Sequence, residues 1–417
     1  MRLHHLPLRS SHSSCEQRQV PEAAPQFIAN IGPAVGSVPK LARKVVVLAG
    51  IDDFVSSRSG ALIPLLTDLA RDIVVVAPAS MRDELESRGA RVIVFDPRTA
   101  ATSTTRGALA AWRLARILEA ENADLVHAVG VRSAVLCGLA LKLIGAGRAI
   151  VHLPDLEALE PAHWLPTFYN RSPAKVIAML VSRPSSFLLV ERTSDLADLR
   201  AKGIDAGPRV AVVGGPGIDP DAFPLLPPAH GDMPVAACIA PMRAGGGVDT
   251  VMQAFDQAWS RGVRLRLELA GPCIEGCRGE ETEIAHWALH PGVVCTEPVG
   301  DVRELWRRAE ICVLPALTPQ AFPRSLLEAA ACGRALIVTH CANGASFVRH
   351  EVEGLVVPPG DVSALSAALE RLARDADLRW RLGHAARVRA LHGFTEAHVQ
   401  ETVKGAYMAL LDECRPE

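Results

Sequence analysis

No apolar run in this chain approaches eighteen uninterrupted residues, so no segment is expected to cross a membrane as a helix. The opening residues, MRLHHLPLRSSHSSCEQRQ, lack the apolar core of a secretory signal. Charge of one sign is missing as well. At a net −2 the chain has no basic excess, which argues against nucleic acid as a partner. Two nucleotide fingerprints are absent. No G-x-G-x-x-G links a strand to a helix, and GGPGID at 214–219 and AGGGVD at 244–249 lack the final glycine. No G-x-x-x-x-G-K-[ST] occurs either, so hydride transfer and P-loop ATP hydrolysis are weakly supported. The ten cysteines are scattered, and many sit inside apolar runs (Cys137, Cys238, Cys312, Cys332). That placement suits small core residues in a reducing compartment better than a disulfide framework. A soluble, cytoplasmic protein is the expectation.

What is present is a repeated alternation. A length of 417 residues accommodates two domains, each able to bury a core. Residues 1–42, rich in Ser, Pro, Gln and His, show no sustained period and read as a disordered extension. From Lys44 onward, short apolar runs alternate with helical periods. Strands are expected at 44–50, 73–77, 91–95, 124–130, 149–153, 187–190 and 210–213. Helices are expected at 61–70, 81–88, 107–120, 133–143, 174–181 and 194–202, with an irregular segment around Trp164. PDAFPLLPPAHGDMP, 220–234, is proline-rich and reads as a linker. The alternation then restarts, with strands at 235–240, 264–270, 293–296, 311–314, 335–338 and 355–357. Helices interleave at 248–261, 280–289, 302–309, 325–331 and 362–373, and two more run through Leu391 and from 395 to 411. This is the α/β class: two Rossmann-like, doubly wound domains facing across a cleft, at 43–222 and 235–394, with residues 395–417 as a closing helix.

The stretch AEICVLPALTPQAFPRSLLEAAACGRALIVT, 309–339, carries the most information. It reads as strand, loop, helix, turn and strand. Pro323 is expected at the first helical position and Gly333 as the left-handed residue that ends the helix. Leu326, Leu327 and Ala330 would share a buried stripe. Such a unit places a helix N-terminus at the carboxyl edge of a parallel sheet, where ligands bind, although any βαβ unit packs in this way.

From Lys44 to about Leu411 the chain resembles the family 4 retaining glycosyltransferases of bacterial exopolysaccharide and lipopolysaccharide assembly. The resemblance rests on DVRELWRRAEICVLPAL, QAFPRSLLEAAACGR and EGLVVPPGDVSALSAALERL, in that order. DLVHAVGVRSAVLCGLA, VVGGPGIDPDAF and GGGVDTVMQAF support it. It implies a GT-B fold in which the C-terminal helix crosses back onto the first domain. It implies a nucleotide-sugar donor, a glycan or lipid-linked acceptor, no cofactor and no metal. Departure of a nucleoside diphosphate would be stabilised by a helix N-terminus and cations.

Under this resemblance Glu328 would hold the ribose, and Arg324, Ser325, Phe322, Pro323 and Gly271 would line the donor site. Gln320 stands where the family has its first glutamate. A neutral hydrogen bond of about 1 kcal/mol would replace a charged one of roughly 1.5–3 kcal/mol. Pro241 and Gly246 occupy the positions of the family's arginine and lysine, with Arg243 the nearest cation, and Ser346 stands where a glutamate is usual. His127 and His152 close buried strands, and His127 joins Arg243 and Gln320 as a catalytic candidate, the alternative being a hydrogen-bonded structural residue. Asp53, Ser57 and Arg58, after the first strand, would meet a polar or phosphorylated acceptor headgroup, or be merely solvated. Cys273, Cys277, His286 and His290 form C-x3-C-x8-H-x3-H, but the spacing is short for a zinc finger and both histidines fall on a helix. Two readings follow: a transferase, and a non-catalytic relative that binds glycan or a partner, which Gly246 and Gln320 favour. A nucleotide-sugar epimerase on the same fold is the weaker third. A peripheral contact with the inner membrane face stays open, because no strongly basic amphipathic helix stands out.

Overall fold

A computed structural model describes residues 42–49, 59–96, 103–154, 156, 159, 172–228, 231, 233–240, 247–271, 287–296, 301–317, 322–340 and 346–411. Outside these lie the N-terminal extension, the segment around Trp164, and most of the helix expected at 280–289.

The first sheet consists of β1 (Ala42–Ala49), β2 (Ala70–Ala77), β3 (Arg91–Val94), β4 (Leu125–Val129), β5 (Ala149–Leu153), β6 (Ser186–Val190) and β7 (Val210–Val212). Its order is β3-β2-β1-β4-β5-β6-β7, and every pairing is parallel. The connecting helices are α1 (Ser59–Leu69), α2 (Arg82–Ser87), α3 (Thr104–Glu121), α4 (Val131–Ile144), α5 (Pro173–Val181) and α6 (Thr193–Ala201). β1 shows why the strands read as continuous apolar runs. Val46 and Leu48 face one core with α3, α4 and α5, while Val45, Val47 and Ala49 face a second. The helix expected to reach Ala70 stops at Leu69, because Ala70 pairs in register with Ala42 and opens β2. α3 ends on Asn122 in the left-handed region at φ 47°, and its start is capped by Ser103 Oγ, which accepts from the Arg106 N–H.

The second sheet consists of β8 (Val235–Ile239), β9 (Arg266–Ala270), β10 (Val293–Thr296), β11 (Ile311–Leu314), β12 (Ala335–Thr339) and β13 (Gly354–Val357), in the order β10-β9-β8-β11-β12-β13, again parallel. α7 (Val248–Ser260) and α10 (Val362–Arg374) cover one face and α8 (Val302–Arg308) and α9 (Arg324–Ala331) the other, while α11 (Ala376–Leu391) reaches both cores, through Leu378 and Leu382 and through Ala386 and Ala390. Both sheets are doubly wound, as the alternation requires.

The last helix, α12 (Glu396–Leu411), belongs in sequence to the second half but packs on the first. Val399, Val403, Ala406, Tyr407 and Leu410 are buried in the same cluster as Val45, Val47 and α1's Ile63 and Leu66. Burial at about 1.5–3 kcal/mol for each large side chain holds the helix there. The outgoing and returning connections run side by side. The Ile218 N–H donates to Phe394 O at 2.9 Å, and the Glu396 N–H donates to Ile218 O at 3.0 Å. The glycine-rich GGPGID thus has a structural role. Gly215 lies where a side chain would meet the Phe322 ring at 3.2 Å, and Gly217 where it would meet Glu396 Cα at 3.0 Å.

Candidate active site

Each sheet reverses its strand order once, between β1 and β4 and between β8 and β11. In a doubly wound sheet, that reversal opens a crevice at the carboxyl ends of the two strands, where ligands bind. In the first sheet the loop after β1 holds Asp53, Ser57 and Arg58, which lie outside the described residues. In the second, the crevice is bounded by the starts of α7 and α9. Gly247 begins α7 at φ 89°, and a Cβ there would fall 1.8 Å from Pro315 O, at the end of β11. Gly271, after β9, would place a Cβ 1.9 Å from Ala240 O, so its role is a close backbone approach that brings the ends of β8 and β9 together. The Thr339 hydroxyl donates to Ala316 O at 2.5 Å and ties the loop after β11 to the end of β12.

Pro323 is not the first helical residue. At φ −74° and ψ 124° it is the extended cap of α9, with no side-chain cap bond, and Arg324 and Ser325 form the open first turn. Leu326, Leu327 and Ala330 form the expected buried stripe, and Gly333 follows at φ 73°. Glu328 is only 7% exposed, so it is no solvated helix glutamate. It is set between Trp306, fully buried on α8, and Arg324, whose Nε lies 3.2 Å from Glu328 Oε1. Burial raises the pKa of Glu328. Arg324 opposes that shift, as does the Trp306 indole, which sits outside hydrogen-bond geometry.

The structure adds Glu396 and Asp219, which sequence reasoning did not select. Glu396 opens α12, and its pKa too is raised by burial, with Arg324 opposing and Asp219 reinforcing. Arg324 thus lowers the pKa of a second carboxylate besides that of Glu328. Asp219 ended the GGPGID motif and was visible to that extent; Glu396 sits on a distant helix with no local signal.

Phe322, also expected in the donor site, has packing partners of its own. Phe322 is buried and packs with Phe347 and Phe394, at centroid separations of 6.2 and 5.9 Å. It anchors the returning connection. Ser346 lies beside this cluster, exposed, with its carbonyl accepting from Arg389 at 3.4 Å. Gln320, Arg243, Pro241 and Gly246 lie outside the described residues.

His127 does not close its strand. It sits in the middle of β4, fully buried, paired in register with Val47 and Ile150. Its Nδ1 lies 2.9 Å from Tyr407 Oη, and its ring stacks on His152 at 5.7 Å. His152 Nε2 in turn lies 3.7 Å from Glu191 Oε1. The catalytic expectation for His127 gives way to a structural one, because α12 covers the ring. Tyr407→Phe should lower stability by about 1–2 kcal/mol, read from the urea midpoint; an unchanged midpoint would remove the bond from the account. Of the four candidate zinc ligands only His290 is described. Its Nδ1 accepts from the Gly292 N–H at 3.1 Å, and its ring packs edge-on against Phe255 and Trp259.

Residues 234–375, the second sheet and its helices, match the family described as Glycosyl transferases group 1. This half is similar to the group 1 glycosyl transferases. Among the relatives of the chain is the exopolysaccharide phosphotransferase of Streptomyces coelicolor, 37% identical over 33% of this chain and 15% of that one. Another is the capsular polysaccharide biosynthesis glycosyltransferase CapM of Staphylococcus aureus, 25% identical over 40% of this chain and 44% of that one. The chain thus spans less than half the length of these curated relatives. Among solved structures, Anabaena HepE in complex with UDP superposes with a TM-score of 0.71 at 16% identity, covering 88% of this chain and 100% of that one. The fold is GT-B, and the crevice at the starts of α7 and α9 lies within the matched stretch.

Proposed function

We propose that the chain is a glycosyltransferase that moves a sugar, with retention, from a nucleotide-sugar donor to a glycan or lipid-linked acceptor in cell-surface polysaccharide synthesis. The observation that carries this reading is Glu328, a carboxylate buried beside Arg324 at the open start of α9, within the stretch that matches the group 1 glycosyl transferases. A desolvated carboxylate accepts hydrogen bonds from ribose hydroxyls, and the first-turn N–H groups with Arg324 meet the diphosphate charge, so no metal is called for. The CapM relative and the UDP complex of HepE support the substrate class.

The outward face of α3 supports a peripheral contact with the inner membrane face from the cytoplasmic side. Leu109 and Trp112 are 45% and 55% exposed, flanked by Arg106, Arg113 and Arg116 on the same face. Among the described residues no helix is long and apolar enough to cross a membrane.

A thermal-shift screen with UDP, GDP and their sugars tests the reading. The matching nucleotide at a hundredfold excess over its Kd should stabilise the fold by about 2.7 kcal/mol. No stabilisation by any of them would sink the proposal. Stabilisation without transfer or donor hydrolysis would select the non-catalytic relative that Gly246 and Gln320 favour in the sequence.

A further inference from the structure

Among the described residues, the largest fully buried side chain is Trp306 on α8. It lies in the apolar cluster that α8 shares with Leu326, Leu327 and Ala330 of α9. A core position needs bulk there, not a donor, yet the indole brings an N–H. That Nε1 is enclosed and has no hydrogen-bond partner among the described residues. Water cannot reach it, and a buried indole N–H ordinarily takes an acceptor from the protein.

The acceptor at hand is the Glu328 carboxylate. Burial disfavours its ionised form, and Arg324 and then the Trp306 indole act against that. The two supports differ in kind. Arg324 has 44% of its side chain exposed at the open first turn of α9, so an entering diphosphate competes for it. Trp306 has no exposed surface, and nothing in solution competes for its N–H. In this conformation Arg324 Nε lies 3.2 Å from Glu328 Oε1, and the indole bond is open. With Arg324 drawn to a diphosphate, the indole is the donor left to hold the carboxylate. The Glu328 side chain keeps 10% of its surface, so it still reaches a ligand where the indole does not. Two other ionisable groups feel Glu328, Cys312 on β11 and Cys332 after α9. Burial raises both thiols, Cys332 to about 11, so neither changes charge where Glu328 does.

We propose that Trp306 is the positioning residue for Glu328, its indole N–H fixing one carboxylate oxygen so that the other faces the ribose hydroxyls. The ribose rests on the donor reading above; the pairing of the two side chains does not.

Calorimetric titration of UDP into Trp306→Phe, which keeps an aromatic ring and removes the donor, is the test. At pH 7 the variant should bind UDP about tenfold more weakly than the native chain. Its loss of affinity on acidification should begin at a higher pH, because the ionised carboxylate has lost a donor. In a Glu328→Gln background the same substitution should alter UDP affinity by no more than about twofold. A tryptophan that only fills the core would lower the urea midpoint and weaken binding alike in both backgrounds. If Trp306→Phe does not fold, the native chain decides through the indole N–H resonances of its 6 tryptophans. One of them should move between pH 5 and 8 and stand still in Glu328→Gln. UDP binding with an unshifted acid limb, equal losses in both backgrounds, or resonances indifferent to Glu328→Gln overturns the proposal. A native chain that binds no UDP overturns the donor reading instead, and the resonance then decides the pairing.

Discussion

Glu328→Ala is expected to lower affinity for UDP roughly 10- to 150-fold, the loss of a charged hydrogen-bond acceptor at about 1.5–3 kcal/mol. Folding should survive, because the adjacent Arg324 reaches solvent with 44% of its side chain exposed. Glu328→Gln separates charge from shape and makes the sharper comparison. Burial raises the pKa of Glu328 above its ordinary 4.5, so its ionised form is lost at a higher pH than an ordinary carboxylate's. UDP affinity of the native chain should therefore fall on acidification beginning above pH 4.5, and Glu328→Gln should flatten that dependence. The effect on stability has the opposite sign. A raised folded-state pKa contributes stability below the unfolded value, and that contribution is lost as pH rises through the folded value. At neutral pH the glutamine variant should be no less stable than the native chain while binding UDP more weakly. Calorimetry between pH 5 and 8, with thermal unfolding of the same samples, measures both. A glutamine variant with native UDP affinity and pH profile would dismiss Glu328 from the donor site.

Gly247→Ala should be among the most damaging single-methyl additions in the chain. Two costs coincide at this residue. An L side chain at φ 89° is strained by about 1–2 kcal/mol, and a Cβ placed 1.8 Å from Pro315 O forces the end of β11 to move, at roughly 1–3 kcal/mol more. A total of about 2–5 kcal/mol is expected. Gly262 provides the control, with φ 81° but nothing within 4 Å of its Cβ position. Gly262→Ala should cost only the conformational part, about 1–2 kcal/mol. Chemical denaturation of the two variants isolates the crowding, and UDP titration locates it. Gly247→Ala should also weaken nucleotide binding, because Pro315 borders the crevice, whereas Gly262→Ala should not. Equal losses in both would mean that the backbone at 315 yields easily and that the crevice wall is soft.

Much of the architecture could be read locally. Strands at 149–153, 293–296 and 311–314 fall where the apolar runs placed them. Parallel strands buried on both faces are written as unbroken Val, Ile and Leu, a pattern that needs no tertiary knowledge. Helix ends at Gly333 and Asn122 depend on the φ of one residue, which is equally local. The failures are as instructive. Leu69 ends its helix early because Ala42 captures Ala70 in a ladder 28 residues away in sequence. Pro323 is a cap rather than a helical residue because the loop before it is anchored by Phe322 on Phe347 and Phe394.

The sequence by itself determined the doubly wound class, the restart of the alternation after residue 234, and the presence of Glu328 near the start of a helix at a carboxyl edge. These depend on residue type and period, and each residue carries its own share of them. Only the tertiary structure decided what surrounds those residues. It buried His127 beneath Tyr407, 280 residues away. It brought Glu396 of the closing helix within the electrostatic influence of Arg324, which also pairs with Glu328. It buried Arg334 with Nε and Nη2 lacking a hydrogen-bond partner among the described residues. Burial and ion pairing are properties of the neighbours a folded chain brings together, so no local pattern of residues could have announced them.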